Sequence, residues 1–155
     1  MKPLITRSGK AAVLATIFCV VLASDTTGQR SKKTPSCFDT AKTQFALNNC
    51  AGKQSGDAEL ELNKTYQSIL KKYADRPVFL ERLRIAQRAW LRFRDAQLEM
   101  QFPPAEASGS VTPMCYALLK TELIDQRTAQ LKAWLQGAEE GNACYGSMKF
   151  REELK

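Results

Sequence analysis

Between Pro77 and Phe102 the chain reads VFLERLRIAQRAWLRFRDAQLEMQF, with no glycine or proline inside. Such a stretch has few ways to fold other than as one long helix, because it is built from strong helix formers and lacks the residues that break helices. Phe79, Leu83, Trp90 and Phe93 recur near helical spacing, with Ala86 and Ala89 between them. That pattern predicts a core-facing stripe on an amphipathic helix. A polar string, Gln87, Trp90, Arg94 and Asp95, lies inside the same stretch. On another face Arg84, Arg88 and Arg92 are four residues apart. The simplest account of these arginines is a solvated stripe with local pairs such as Glu81–Arg84 and Arg92–Glu99. The alternative is a face that binds an anion or a partner.

The flanking sequence predicts more helices. One is expected over about Asp39–Ala51, with Phe38, Ala41 and Phe45 inward and Gly52 as its stop. Lys53–Gly56 reads as a turn. A second helix is expected from Asp57 to just before Pro77, with Leu62, Tyr66, Ile69 and Tyr73 as its seam and Asn63 beside it. Pro103–Pro113 has three prolines and reads as a loop. A last long helix runs from about Pro113 to Gln136 and ends at Gly137, with Leu118, Ile124, Leu131 and Leu135 on one face. The expected fold is therefore all-α, a small, up-and-down four-helix bundle followed by a tail from Ala138 to Lys155.

The N-terminus has the composition of an export signal. Lys2, Arg7 and Lys10 precede the apolar run Ala11–Ala23, and cleavage after Ala23 is expected. Retention as a membrane anchor is the alternative, disfavoured by the short apolar run. Ser24–Ser36 is polar and aperiodic and reads as a disordered leader. The folded domain is expected over 37–155. The resulting location is periplasmic or secreted, with no membrane insertion once the signal is removed.

Charge and composition narrow the function. The chain carries a net +7, but from Cys37 onward it has 17 basic and 15 acidic residues. A domain so nearly neutral gives no reason to expect nucleic acid as a partner. There is no histidine, the side chain best suited to proton transfer at neutral pH and the commonest metal ligand. Neither a cofactor nor a metal site is expected. Glu59, Glu61, Asp95 and Glu99 could in principle serve a carboxylate-based cell-wall hydrolase. Their spacing, however, implies no apolar cleft that would raise one pKa. The expectation is a binding protein, not an enzyme.

Once Cys19 leaves with the signal, Cys37, Cys50, Cys115 and Cys144 remain. An even number in an exported chain suggests two disulfides. A helix over Asp39–Ala51 would be about 18 Å long and would hold Cys37 and Cys50 apart. Bundle geometry then favours Cys50–Cys115 and Cys37–Cys144, each worth ~4–5 kcal/mol by the chain-entropy model. The latter would pin the tail.

Taken together, Cys37, Asp39, Thr43 and Gln44, then Asn49-Cys50-Ala51, Leu62-Asn63 with Tyr66, Gln87-Arg88-Ala89-Trp90, Arg94-Asp95, Cys115 and Arg127 resemble the LprI-like family of bacterial envelope proteins. That family is named for a lysozyme-inhibiting mycobacterial lipoprotein. The resemblance spans roughly Cys37–Leu135. It departs from the family after Arg94-Asp95, where Gln97-Leu98-Glu99 stands in place of the usual nearby cysteine. The resemblance implies lysozyme, or another envelope protein, as the partner, with inhibition by occlusion of the lysozyme cleft. The Pro103–Pro113 loop, with Ser108, Gly109 and Ser110, is the candidate insert. A general periplasmic protein- or cell-wall-interaction module, using Arg84, Arg88 and Arg92, is the alternative. Asn63, Tyr66, Gln87, Trp90, Arg94, Asp95 and Arg127 are expected to form a structural polar network.

Overall fold

The computed structural model describes residues 36–103, 109–141 and 143–155. The expected signal peptide and all but the last residue of the expected leader, as well as Ser108, lie outside the described residues. The described chain is all-helical. A short α1 (Cys37–Thr40) is followed by three long helices, α2 (Gln44–Lys72), α3 (Pro77–Gln101) and α4 (Thr112–Gln136).

The first two helices predicted from the sequence are divided differently. Ser36 caps α1 in a capping box. The Asp39 amide donates to Ser36 Oγ at 3.3 Å, and the Ser36 amide donates to Asp39 Oδ2 at 2.7 Å. Ala41 is then extended, and Thr43 opens α2 by accepting the Ala46 amide at 3.2 Å. From Gln44 the helix continues through Gly52 and Gly56 without a turn. Each interior glycine costs about 1 kcal/mol relative to alanine. The burial of Cys50, Ala51, Ser55, Ala58 and Leu62 along the same face outweighs that cost. The four-helix bundle expected from the sequence is thus three long helices with one helical turn in front.

The early chain reversal also decides the disulfide. It brings the Cα atoms of Cys37 and Cys50 to 5.6 Å, and these two residues are bonded. Both expected pairings, Cys50–Cys115 and Cys37–Cys144, are therefore excluded. Cys115 is a half-buried free thiol, and Cys144 is exposed.

α2 and α4 run parallel and pack closely, with α3 antiparallel to both and further out. The orientation follows from contacts at the two ends. Asn48 Nδ2 donates to the Ser110 carbonyl at 3.0 Å at one, and Tyr73 Oη donates to the Trp134 carbonyl at 2.9 Å at the other. Small residues make the close approach possible: Ala51, Ser55 and Ala58 on α2, and Ala117, Thr121 and Thr128 on α4 are all buried. The two threonine hydroxyls are satisfied within α4, donating to the Ala117 and Ile124 carbonyls at 2.8 Å each. The large side chains gather at the α2–α3 turn. There Leu62, Ile69 and Tyr73 meet Phe79, Leu80, Leu83, Ile124 and Leu131. Phe79 lies 4.5 Å from Tyr73 and 4.8 Å from Trp134, ring centre to ring centre. Leu118, expected inward, is exposed.

The tail closes this end without a Cys37–Cys144 bond. Ala138 and Phe150 form an isolated parallel bridge, and Leu154 inserts into the core. The Lys149 amide donates to Tyr73 Oη at 3.0 Å. The Lys149 side chain is only 9% exposed, and its ammonium pairs with Asp75 at 2.6 Å. Arg76 adds an ion pair to Glu153 at 2.6 Å, and Lys72 Nζ donates to the Leu154 carbonyl.

This arrangement carries a pH dependence. The hydrogen bond from Lys149 is the main cause holding the Asp75 carboxyl below the ordinary value of 3.8. A carboxyl with a depressed folded pKa contributes stability above its unfolded pKa and loses it as pH falls through the folded value. Protonated Asp75 leaves Lys149 buried without its counter-charge. The Lys149 and Leu154 amides are therefore expected to lose protection, measured as exchange relative to the intrinsic rate at each pH, below about pH 4. In Asp75→Asn their protection should already be low at neutral pH and change little on acidification.

Candidate functional site

Two regions stand out: a polar cleft between α2 and α3, and the base of the α3–α4 loop. On α3 Phe79, Leu80, Leu83 and Leu98 are buried, and Gln87 and Arg94 stand half-buried beside Trp90 and Leu91, so polar residues interrupt an otherwise apolar seam. Gln87 Oε1 accepts from Arg127 Nε of α4 at 3.0 Å, and Arg127 Nη1 donates to Gln130 Oε1 at 3.1 Å. Burial pushes the Arg127 guanidinium below its ordinary pKa, but an arginine stays charged. Arg94, with a side chain 15% exposed, bonds Asp95 at 2.6 Å and lies 4.0 Å from Glu59 of α2. Lys120 of α4 holds that same Glu59 at 2.7 Å. Half-buried Trp90 sits between these groups, with Arg94 at 5.6 Å and Arg127 at 5.9 Å from its ring centre. These contacts join all three long helices.

Most of the polar residues singled out in the sequence meet here. Gln87, Trp90, Arg94, Asp95 and Arg127 form one chain of contacts. Asp95 stays at the helix edge while Arg94 turns inward. Asn63 is exposed, so its amide faces water and does not need the buried partners expected for it. Tyr66 is half-buried. Phe93, expected in the core, is 55% exposed, and Ala86 and Ala89 are exposed too. Phe79 and Leu83 are buried and Trp90 is half-buried as expected, so the inner face of α3 keeps most of that stripe and extends toward Gln87 and Arg94.

Because polar side chains stand where apolar ones would close the seam, a cleft of about 560 Å³ remains between α2 and α3. Asn63, Tyr66 and Gln67 line it from α2, and Arg84, Gln87 and Arg88 from α3. Arg84, Arg88 and Arg92 are all exposed, but Arg92 does not line the cleft. The local pairs expected from the sequence do not form. Among the described residues Arg84, Arg88 and Arg92 make no ion pair.

The second region is the other end of the molecule. The Asn48–Ser110 hydrogen bond ties the end of the loop to α2, two residues from the Cys37–Cys50 disulfide. Phe102 and Tyr116, on either side of the loop, stack edge-on at 5.9 Å. Gly109 and Ser110 are exposed at this end. Asn48, Phe102 and Tyr116 were not anticipated from the sequence. Only the helical register that places Asn48 beside the start of α4 reveals them.

The family model Lysozyme inhibitor LprI matches residues 37–131. The chain belongs to the LprI family. The match takes in α1, the disulfide, α2, α3 and most of α4, and it stops before the tail that closes the core. An uncharacterized protein of Rhizobium meliloti (strain 1021) is 37% identical over 110 residues, covering 64% of this chain and 78% of that one. No solved structure matches the chain. LprI family membership points to a binding protein of the bacterial envelope, and no helix among the described residues is long and apolar enough to cross a membrane.

Proposed function

We propose that the protein is exported, to the periplasm or beyond the cell, and inhibits lysozyme by inserting its α3–α4 loop into the sugar-binding cleft. LprI membership supports lysozyme as the target. The observation that carries the mechanism is the anchoring of the loop at its base by the Asn48–Ser110 bond and the Phe102–Tyr116 contact, beside the disulfide. The Asn48–Ser110 and Phe102–Tyr116 contacts fix the two ends between which the loop is carried, and a fixed base lowers the cost of binding. Two carboxylates flanking the scissile bond perform the hydrolysis in lysozyme, and a segment lying between them keeps substrate out. The inhibitor needs no catalytic group of its own. With a folded region near neutrality, electrostatic steering toward a basic lysozyme is weak, so affinity comes from fit at the loop.

Loop and stripe variants test the assignment in a lysozyme inhibition assay. Replacing Ser108 and Ser110 together by arginine is expected to weaken inhibition by about tenfold or more, because bulk and charge enter the centre of the interface. Converting Arg84, Arg88 and Arg92 together to glutamine is expected to change it by less than about twofold, because such surface charges contribute little unless they lie at the contact. The opposite ranking would transfer the inhibitory surface to α3.

A further inference from the structure

We propose that the cleft between α2 and α3 is a second binding site, for a carboxylate-bearing glycan. Three observations lead there. First, the fold gives up packing at this place. α2 and α4 close on small residues, whereas α3 presents Gln87 and Arg94 inward and leaves a cleft of about 560 Å³. Polar residues at positions where apolar ones would stabilise the fold are a mark of a functional surface. Second, the cleft has unspent positive charge. Glu59, its one carboxylate, is held by Lys120 at 2.7 Å, and Arg94 is paired with Asp95 at 2.6 Å. Arg84 and Arg88 have no ion-pair partner among the described residues, yet they sit one turn apart, where like charges disfavour the helix. A bound anion would relieve that repulsion, and two guanidinium forks one turn apart suit a carboxylate.

Third, the remaining lining suits a sugar. Asn63 and Gln67, one turn apart on α2, face the cleft with amide donors and acceptors. Half-buried Tyr66 lies between them in sequence and offers an aromatic face with a polar tip. Hydroxyl-rich rings need such paired donors and acceptors, and the arginines then select the acidic ones. This binding is separate from lysozyme inhibition: the cleft lies midway along α2 and α3, and the loop lies at one end.

Such a glycan could be a cell-wall fragment or an acidic polysaccharide, which present the same chemistry. The oxidised protein, residues 24–155, should be titrated with muramyl dipeptide, trigalacturonate and neutral chitotriose while backbone amide shifts are followed by NMR. At least one acidic probe is expected to shift residues 59–67 and 84–94 saturably, and chitotriose is not. Muramyl dipeptide alone would identify the wall as the source, trigalacturonate alone an acidic polysaccharide, and both a site that reads the shared chemistry. R84Q/R88Q should weaken acidic binding by about tenfold or more without lowering the melting temperature, since both side chains are exposed. Failure of both acidic probes to bind, equal binding of chitotriose, or undiminished binding to a folded R84Q/R88Q would overturn the proposal.

Discussion

Replacing Cys37 and Cys50 together by serine is expected to lower the unfolding free energy by about 3 kcal/mol, the chain-entropy value for a loop of this size. The two residues are 13 apart in sequence, and α1 has no buried residue of its own. Without the bond, α1 keeps only its capping box and the half-buried Phe38. It should melt from α2, while the α2–α4 interface persists with its buried Ala51, Ser55 and Ala58. Urea unfolding gives the magnitude, and amide exchange at Asp39 and Ala41 shows that the loss begins in α1. Cys115→Ser provides the control. Cys115 is a half-buried free thiol, so its replacement should cost less than about 1 kcal/mol. A loss at Cys115 as large as that at Cys50 would instead support the Cys50–Cys115 pairing.

Gly137→Ala is the second substitution with a large expected effect. Gly137 follows α4 with φ +75°, where a side chain is strained. An added Cβ would also lie 2.7 Å from Leu154 Cδ1, 3.0 Å from the Lys149 carbonyl oxygen and 3.1 Å from the Arg151 nitrogen. The leucine can rotate, but two of the three obstacles are backbone atoms of the tail. The tail must therefore move away, taking Leu154 out of the core and Lys149 away from Tyr73 and Asp75. A loss of ~2–4 kcal/mol is expected, the sum of backbone strain and surrendered packing. Exchange of the Lys149 amide should accelerate more than that of Ile124, because the damage starts at the tail. Unchanged stability would mean that the tail is not docked as described.

The long helices that begin with a proline were legible in the sequence. Pro77 and Pro113 fix their starts and Gly137 the end of the last, for reasons local to the backbone. The N-terminal half was not. Gly52 and Gly56 look like punctuation, but burial along Cys50–Leu62 is a tertiary gain that no local signal reports. A helix over Asp39–Ala51 would keep Cys37 from Cys50, whereas the reversal before Thr43 lets the two bond. The local signal for that reversal is Thr43, a good N-cap that accepts the Ala46 amide. On α3, Phe79, Leu83 and Trp90 turn inward as their spacing suggests, but Phe93, Ala86 and Ala89 are exposed and the core side also takes in Gln87 and Arg94. Those polar residues were visible as a motif, but their inward direction depends on partners in other helices, Arg127 and Glu59. For the same reason Arg84 and Arg88 were legible as a stripe and not as one wall of a cleft.

The most direct test of the lysozyme-inhibitor account is a titration of c-, g- and i-type lysozymes with the oxidised protein, residues 24–155, at low and physiological salt. The account predicts saturable, stoichiometric inhibition of at least one class, little affected by salt and lost when Ser108 and Ser110 become arginine. Folded protein that leaves all three classes fully active would contradict it.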